Sequence, residues 1–194
     1  MKFLLIKKGS SLKQLSKSFF ARDTIEVAKN LLGKILSVDG FKGRIVETEA
    51  YGNDPASHAF KKTERSALMF DTYGHVYVYL IYGMYNCINF TTEKEKAGAV
   101  LIRAVEPLNR IPELKQKRNT KKINNLCSGP GKLCQAFGID RNLNGVRLGR
   151  EVKLFDDGFI VDKIGESSRI GIKDALDLQW RFFVKDNEFV SKVK

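Results

Sequence analysis

Residues 75–90 read HVYVYLIYGMYNCINF, and their reading decides the fold. Val, Tyr, Ile and Phe dominate, the residue types that suit a pleated, half-buried sheet. The run is too long for one average strand, and Gly83-Met84 interrupts it at its middle. A two-residue turn with glycine first fits that break. The stretch is therefore expected to be a β-hairpin, with Tyr82 facing Tyr85 at its tip and Tyr79 further down. Working outward, GAVLIRAVEP (98–107) predicts a further buried strand ending at Pro107. Upstream, KILSV and FKGRIVETEAY flank Asp39-Gly40, a strong signal for a type I′ hairpin. RDTIEVAKNLLGK (22–34) predicts a helix capped by Asp23, with Glu26 three positions on and Gly33 at its stop. SGPGKLCQAFG (128–138) predicts another, entered through Ser128 and Pro130, after a basic, helix-compatible connection at 108–124. LQWRFFVKDNEFVS (178–191) reads as a closing hairpin. Strands adjoin strands, so the class expected is antiparallel α+β rather than βαβ. One domain at 18–194 would follow a basic, Ser-rich, poorly tied segment at 1–17.

A chain of 194 residues fits a single domain and can build a full core without metals or disulfides. Lys and Arg outnumber Asp and Glu by 34 to 22, for a net charge of +12. That excess points to an anionic partner, either nucleic acid or an acidic membrane surface; a lysine-rich genome would give it too. The three cysteines show no CxxC spacing, and only two histidines are present, His58 and His75. Neither a disulfide framework nor a metal site is indicated. No run is long and apolar enough for a signal-peptide core or a spanning helix. An intracellular, reduced location is expected, cytoplasm or nucleoid in a prokaryote and nucleus in a eukaryote.

The chemistry candidates gather in RIVETEAYGNDPASHAF, residues 44–60. If residues 45–51 are extended, the period of two places Ile45, Glu47, Glu49 and Tyr51 on one face. Two like charges on one face repel unless one meets a cation, a proton or a water it can activate. Two solvated acids beside a capping tyrosine would look the same. GPGK at 129–132 lacks the spacing of a nucleotide-binding phosphate loop, although helix-start amides there could hold a nucleic-acid phosphate. Tyr77 reads as core or sheet surface. Tyr82 and Tyr85 flanking a turn on a basic protein are what a wedge between base pairs needs.

In order along the chain, GRIVETEAY, DPASHA, MF, YVY, IYGMYNCIN, LIRAVEP, LCSGPGKLCQA, RIGI and WRFFV resemble the alkyladenine (3-methyladenine) DNA glycosylase family from about residue 17 to 190. The resemblance implies a compact domain with a curved antiparallel sheet. It also implies excision of alkylated purines from damaged duplex DNA by a monomer, without metal, cofactor or membrane. By position, Glu49 matches the catalytic carboxylate, and Arg103 the residue that helps it hold a water. The everted base is expected between Tyr79 on one side and Tyr51 with His58 on the other. Asn89 matches the pocket amide and Tyr82 the intercalating aromatic. Glu47 is left a structural role, since one water needs one base. Ser66 stands where many members have Asn, a departure that touches a local DNA or loop contact. Two other readings compete: a non-catalytic nucleic-acid binder with the same wedge, and an N-glycosidase acting on RNA or nucleosides.

Overall fold

The structure, a computed structural model, describes residues 12–192. Of the segment expected to be poorly tied, residues 1–11 lie outside the described residues, while Lys13–Gln14 form a short strand, β1. The order continues α1 (Thr24–Leu31), β2 (Ile35–Val38), β3 (Phe41–Tyr51), α2 (Ala67–Asp71), β4 (Val76–Ile81) and β5 (Tyr85–Thr92). It closes with β6 (Gly98–Pro107), α3 (Ile111–Arg118), α4 (Pro130–Phe137), β7 (Val152–Asp156), β8 (Ile164–Ser167) and β9 (Arg181–Val184). The strands run β1-β7-β2-β3-β6-β5-β4, with β9 on the second half of β3 and β8 beyond it. These pairings are antiparallel, and the sheet is curled into a half-barrel flanked by helices, the α+β class the strand pattern implies.

Local chemistry accounts for the elements that hold the site. The Asp23 carboxylate accepts from the Ile25 and Glu26 amides, satisfying two orphan donors at the start of α1. That helix buries Val27, Ala28 and Leu31 in the main core, which Phe20, Phe90 and Phe137 also fill. Asp39 and Gly40 sit at φ 46° and 77° and join Val38 to Phe41 across the expected turn. Pro130 opens α4 and Gly138, at φ 68°, closes it. The cap position of α4 is Gly129 rather than Ser128.

Strand β3 changes partners halfway: Phe41–Arg44 pair with β2, and Glu47–Glu49 pair with β9. The register against β6 breaks at the same place, passing over Val46 on one strand and Arg103 on the other. Ile45, Ala50, Ile102 and Val105 face the main core, whereas Val46 and Ala104 pack with Phe189 on the opposite side. The expected face of Ile45, Glu47, Glu49 and Tyr51 is therefore corrected: Ile45 points into the core. A bulge adds a residue without adding a period, so alternation resumes one position late.

Two further expectations change. Ile81 pairs with Tyr85, so the hairpin tip is the three residues Tyr82, Gly83 and Met84. The Met84 amide donates to the Ile81 carbonyl, and Tyr82 and Gly83 between them take φ 53° and 67°. A tyrosine thus holds the left-handed position that the sequence assigns to glycine. The closing segment is no hairpin. β9 finds its partners in β8 and β3, and residues 187–191 fold back as turn and coil.

Candidate active site

The curved sheet brings the two acids of β3 beside Arg103 of β6 and Arg181 of β9. Glu47 and Glu49 are fully buried, and Arg103 is 7% exposed. Glu47 takes four hydrogen bonds. Its Oε1 accepts from Arg103 Nε at 3.0 Å, Arg181 Nε at 2.7 Å and Ser191 Oγ at 2.7 Å, and its Oε2 from the Ser191 amide at 2.7 Å. Glu49 is served differently. Its Oε2 accepts from the Tyr51 hydroxyl at 2.8 Å and lies 3.2 Å from Arg103 Nη1, while its Oε1 accepts from the Ile170 amide alone at 2.7 Å. An ionised carboxylate offers about four lone-pair sites. Glu47 carries three donors on Oε1 and one on Oε2, whereas Glu49 carries a single donor on Oε1.

Charge balances across this group, two carboxylates to two guanidinium groups, which removes the repulsion that the sequence pattern raised. Burial works against the charge on Arg103, but Glu49 and Glu47 outweigh it and hold the guanidinium above its usual range. Burial, reinforced by Glu49, raises the Tyr51 hydroxyl well above its ordinary value, so it remains a donor.

A cleft of about 470 Å³ opens over these residues, a size proper to small-ligand sites. Tyr51, Tyr79, Tyr82, Arg103 and Ile170 line it, together with Arg118, Gly129, Gly131 and Lys132. Glu49 lies behind that lining, reached through its own partners. Tyr82 is 74% exposed at the mouth. Gly131 lets α4 approach the hairpin, since a Cβ there would lie 3.1 Å from the Tyr85 ring. A smaller cavity of about 30 Å³ adjoins, lined by Tyr51, His58, Tyr77, Tyr79 and Asn89. Both amide hydrogens of Asn89 go to the Tyr77 and Cys87 carbonyls, so an acceptor oxygen is what it has left to offer.

The seven residues singled out from sequence thus converge. His58 and Tyr79 rings touch edge to face at 4.9 Å, and Tyr77 holds His58 Nδ1 at 2.8 Å. His58 therefore packs with Tyr79 and Tyr77. Burial, and secondarily Arg65, lowers the His58 pKa. Sequence reading missed Tyr77, although the period of two puts it with Tyr79 and the register sets it opposite Asn89. It also missed Arg169, which pairs with Asp54 at 2.6 and 3.0 Å and stacks 4.8 Å from the Tyr51 ring. That pair ties down the loop between Tyr51 and His58. Ser66 closes its own loop, accepting from the Thr63 amide and donating to the Lys61 carbonyl. Among the described residues no helix is long and apolar enough to cross a membrane.

A family model for methylpurine-DNA glycosylase matches residues 18–188. A protein of Clostridium novyi (strain NT) is 44% identical over 205 residues, spanning 93% of this chain and 100% of that protein. One from Clostridium perfringens (strain SM101 / Type A) is 46% identical, spanning 92% and 99%. A third, from Rhizobium johnstonii, is 45% identical, spanning 95% and 90%. All three are named "Putative 3-methyladenine DNA glycosylase".

Proposed function

The chain belongs to the methylpurine-DNA glycosylase family, and on that footing we propose that it everts an alkylated purine from duplex DNA and hydrolyses the bond to the sugar with Glu49 as base. A glycosidic bond inside stacked DNA is out of reach, so the nucleotide must swing out at a cost of a few kcal/mol. Tyr82 would fill the gap, and Lys132, Arg118 and the amides opening α4 would hold phosphates. The purine would lie between Tyr51 and the Tyr79–His58 pair. Alkylation at N3 or N7 makes a purine cationic, and an aromatic face favours a cation by roughly 0.5–2 kcal/mol. The charge also makes the purine a ready leaving group. Water oxygen would bond to the anomeric carbon as the carbon–nitrogen bond breaks. The bonding pair leaves with the purine, and the water proton passes to Glu49. The products are a free base and an abasic site in an uncut strand.

The observation that carries this reading is the inequality between two adjacent acids. The three partners of Glu49, namely Tyr51, Arg103 and Ile170, all line the cleft, whereas Arg181 and Ser191, which hold Glu47, do not. The test is to incubate the enzyme with methylated duplex DNA and resolve released bases by chromatography. Free 3-methyladenine or 7-methylguanine is expected, with strand breaks appearing only after alkali. Wild-type protein that releases no base would overturn the reading.

A further inference from the structure

Glu47 takes no proton in the proposed reaction, yet it accepts more hydrogen bonds than Glu49. Half of them come from one residue 144 positions away: the amide and the hydroxyl of Ser191, each at 2.7 Å. The segment that carries Ser191 is seated on the irregular part of the sheet. Phe189 packs against Val46 and Ala104, and the Ser191 carbonyl accepts from Arg181 Nη2 at 3.4 Å. Ser191 is 8% exposed, so these bonds form away from solvent.

We propose that Ser191 is a positioning residue for the reaction, fixing Glu47 so that Glu47 fixes Arg103 against Glu49. The inference rests on the assignment of Glu49 as base. Arg103 and Arg181 compete for the same oxygen, Glu47 Oε1, at 3.0 and 2.7 Å. The Ser191 amide holds Oε2 and its hydroxyl holds Oε1; without the hydroxyl the carboxylate can pivot about the one remaining bond toward Arg181. A guanidinium is a rigid planar fork. With Nε held by Glu47, its Nη1 lies 3.2 Å from Glu49 Oε2. If Glu47 turns toward Arg181, Nε loses its anchor and Nη1 swings. Misplacement of an active-site group by about 1 Å can cost about 10²-fold in rate.

The experiment measures single-turnover base release by the full chain as wild type, Ser191→Ala, Arg103→Lys and the double variant. Affinity for a duplex carrying a stable abasic analogue is measured alongside. Ser191→Ala is expected to slow release by about 10- to 100-fold while affinity stays within about twofold. A lysine at 103 lacks the rigid fork through which Glu47 sets the position of Nη1, so adding Ser191→Ala to Arg103→Lys should change the rate no further. Release by Ser191→Ala at the wild-type rate would overturn the proposal. So would an equal slowing in the wild-type and Arg103→Lys backgrounds, or a loss of affinity matching the loss of rate. Failure of the underlying reading looks different: wild type would then release no base, or Glu49→Gln would release it normally.

Discussion

Replacing Glu49 with glutamine separates its chemistry from its packing. The side chain keeps its size but loses its charge and one acceptor oxygen. General-base catalysis contributes about 10²–10⁴-fold, or about 2.7–5.4 kcal/mol of barrier; single-turnover release should slow by that factor. The surroundings add a second effect. Three donors converge on Glu49: the Ile170 amide, the Tyr51 hydroxyl and Arg103 Nη1. A glutamine that leaves its oxygen toward Tyr51 and Arg103 must turn its NH₂ toward the Ile170 N–H. One buried donor is then orphaned, at about 1–3 kcal/mol. For a chain of this size each kcal/mol lowers the melting temperature by about 2–4 °C. The assay is alkali cleavage of a labelled lesion duplex after timed incubation, well below both melting temperatures, with affinity from fluorescence anisotropy. Slow release with near-native affinity is expected. A Glu49→Gln protein releasing base within tenfold of wild type would refute the reasoning.

Tyr82→Gly should weaken binding to lesion duplexes without altering its salt slope, because phosphate contacts are untouched. Its stability should barely change: relief of a left-handed residue, about 1–2 kcal/mol, offsets glycine's extra unfolded entropy of about 0.5–1 kcal/mol, and the lost side chain is 74% exposed. Anisotropy titrations across salt and a urea midpoint check both; unchanged lesion affinity would remove the wedge. The folded pKa of His58 lies below its unfolded value near 6.5, so the unfolded chain binds that proton more tightly. The stability it contributes is complete above about pH 6.5 and is lost as pH falls through the folded pKa. Urea midpoints of wild type and His58→Gln should therefore differ by a constant amount above pH 7.5. Wild type should lose ground to the variant on acidification; a difference independent of pH down to 5 would contradict a neutral, half-buried ring.

Elements that depend on neighbours in the chain were legible. The Asp23 cap and the Asp39-Gly40 turn are local chemistry and occur where their residues place them. The double irregularity at Val46 and Arg103 was not: Val46 suits a buried sheet and leaves no break in the hydrophobic pattern, and the charge of Arg103 marks a site residue without marking an extra position in the strand. β9 was misread since its partners are distant strands rather than the residues that follow it. Within the site, side chains could be matched to a family pattern, but a backbone amide such as that of Ile170 carries no such mark. Nor does the Ser191–Glu47 contact, which exists only once β3 and the segment after β9 are brought together.

The paired irregularities on β3 and β6 restrict how this gene can vary in length. Because each strand skips one residue, Ile45 opposite Val105 and Glu49 opposite Leu101 fall in step on either side of the gap. Losing Val46 alone, or gaining a codon on one strand alone, would slide every pairing beyond it and carry Tyr51 to the wrong side of the sheet. Tolerated insertions and deletions in this stretch should come as matched events on both strands, a signature that sequencing of natural or laboratory-selected variants can look for.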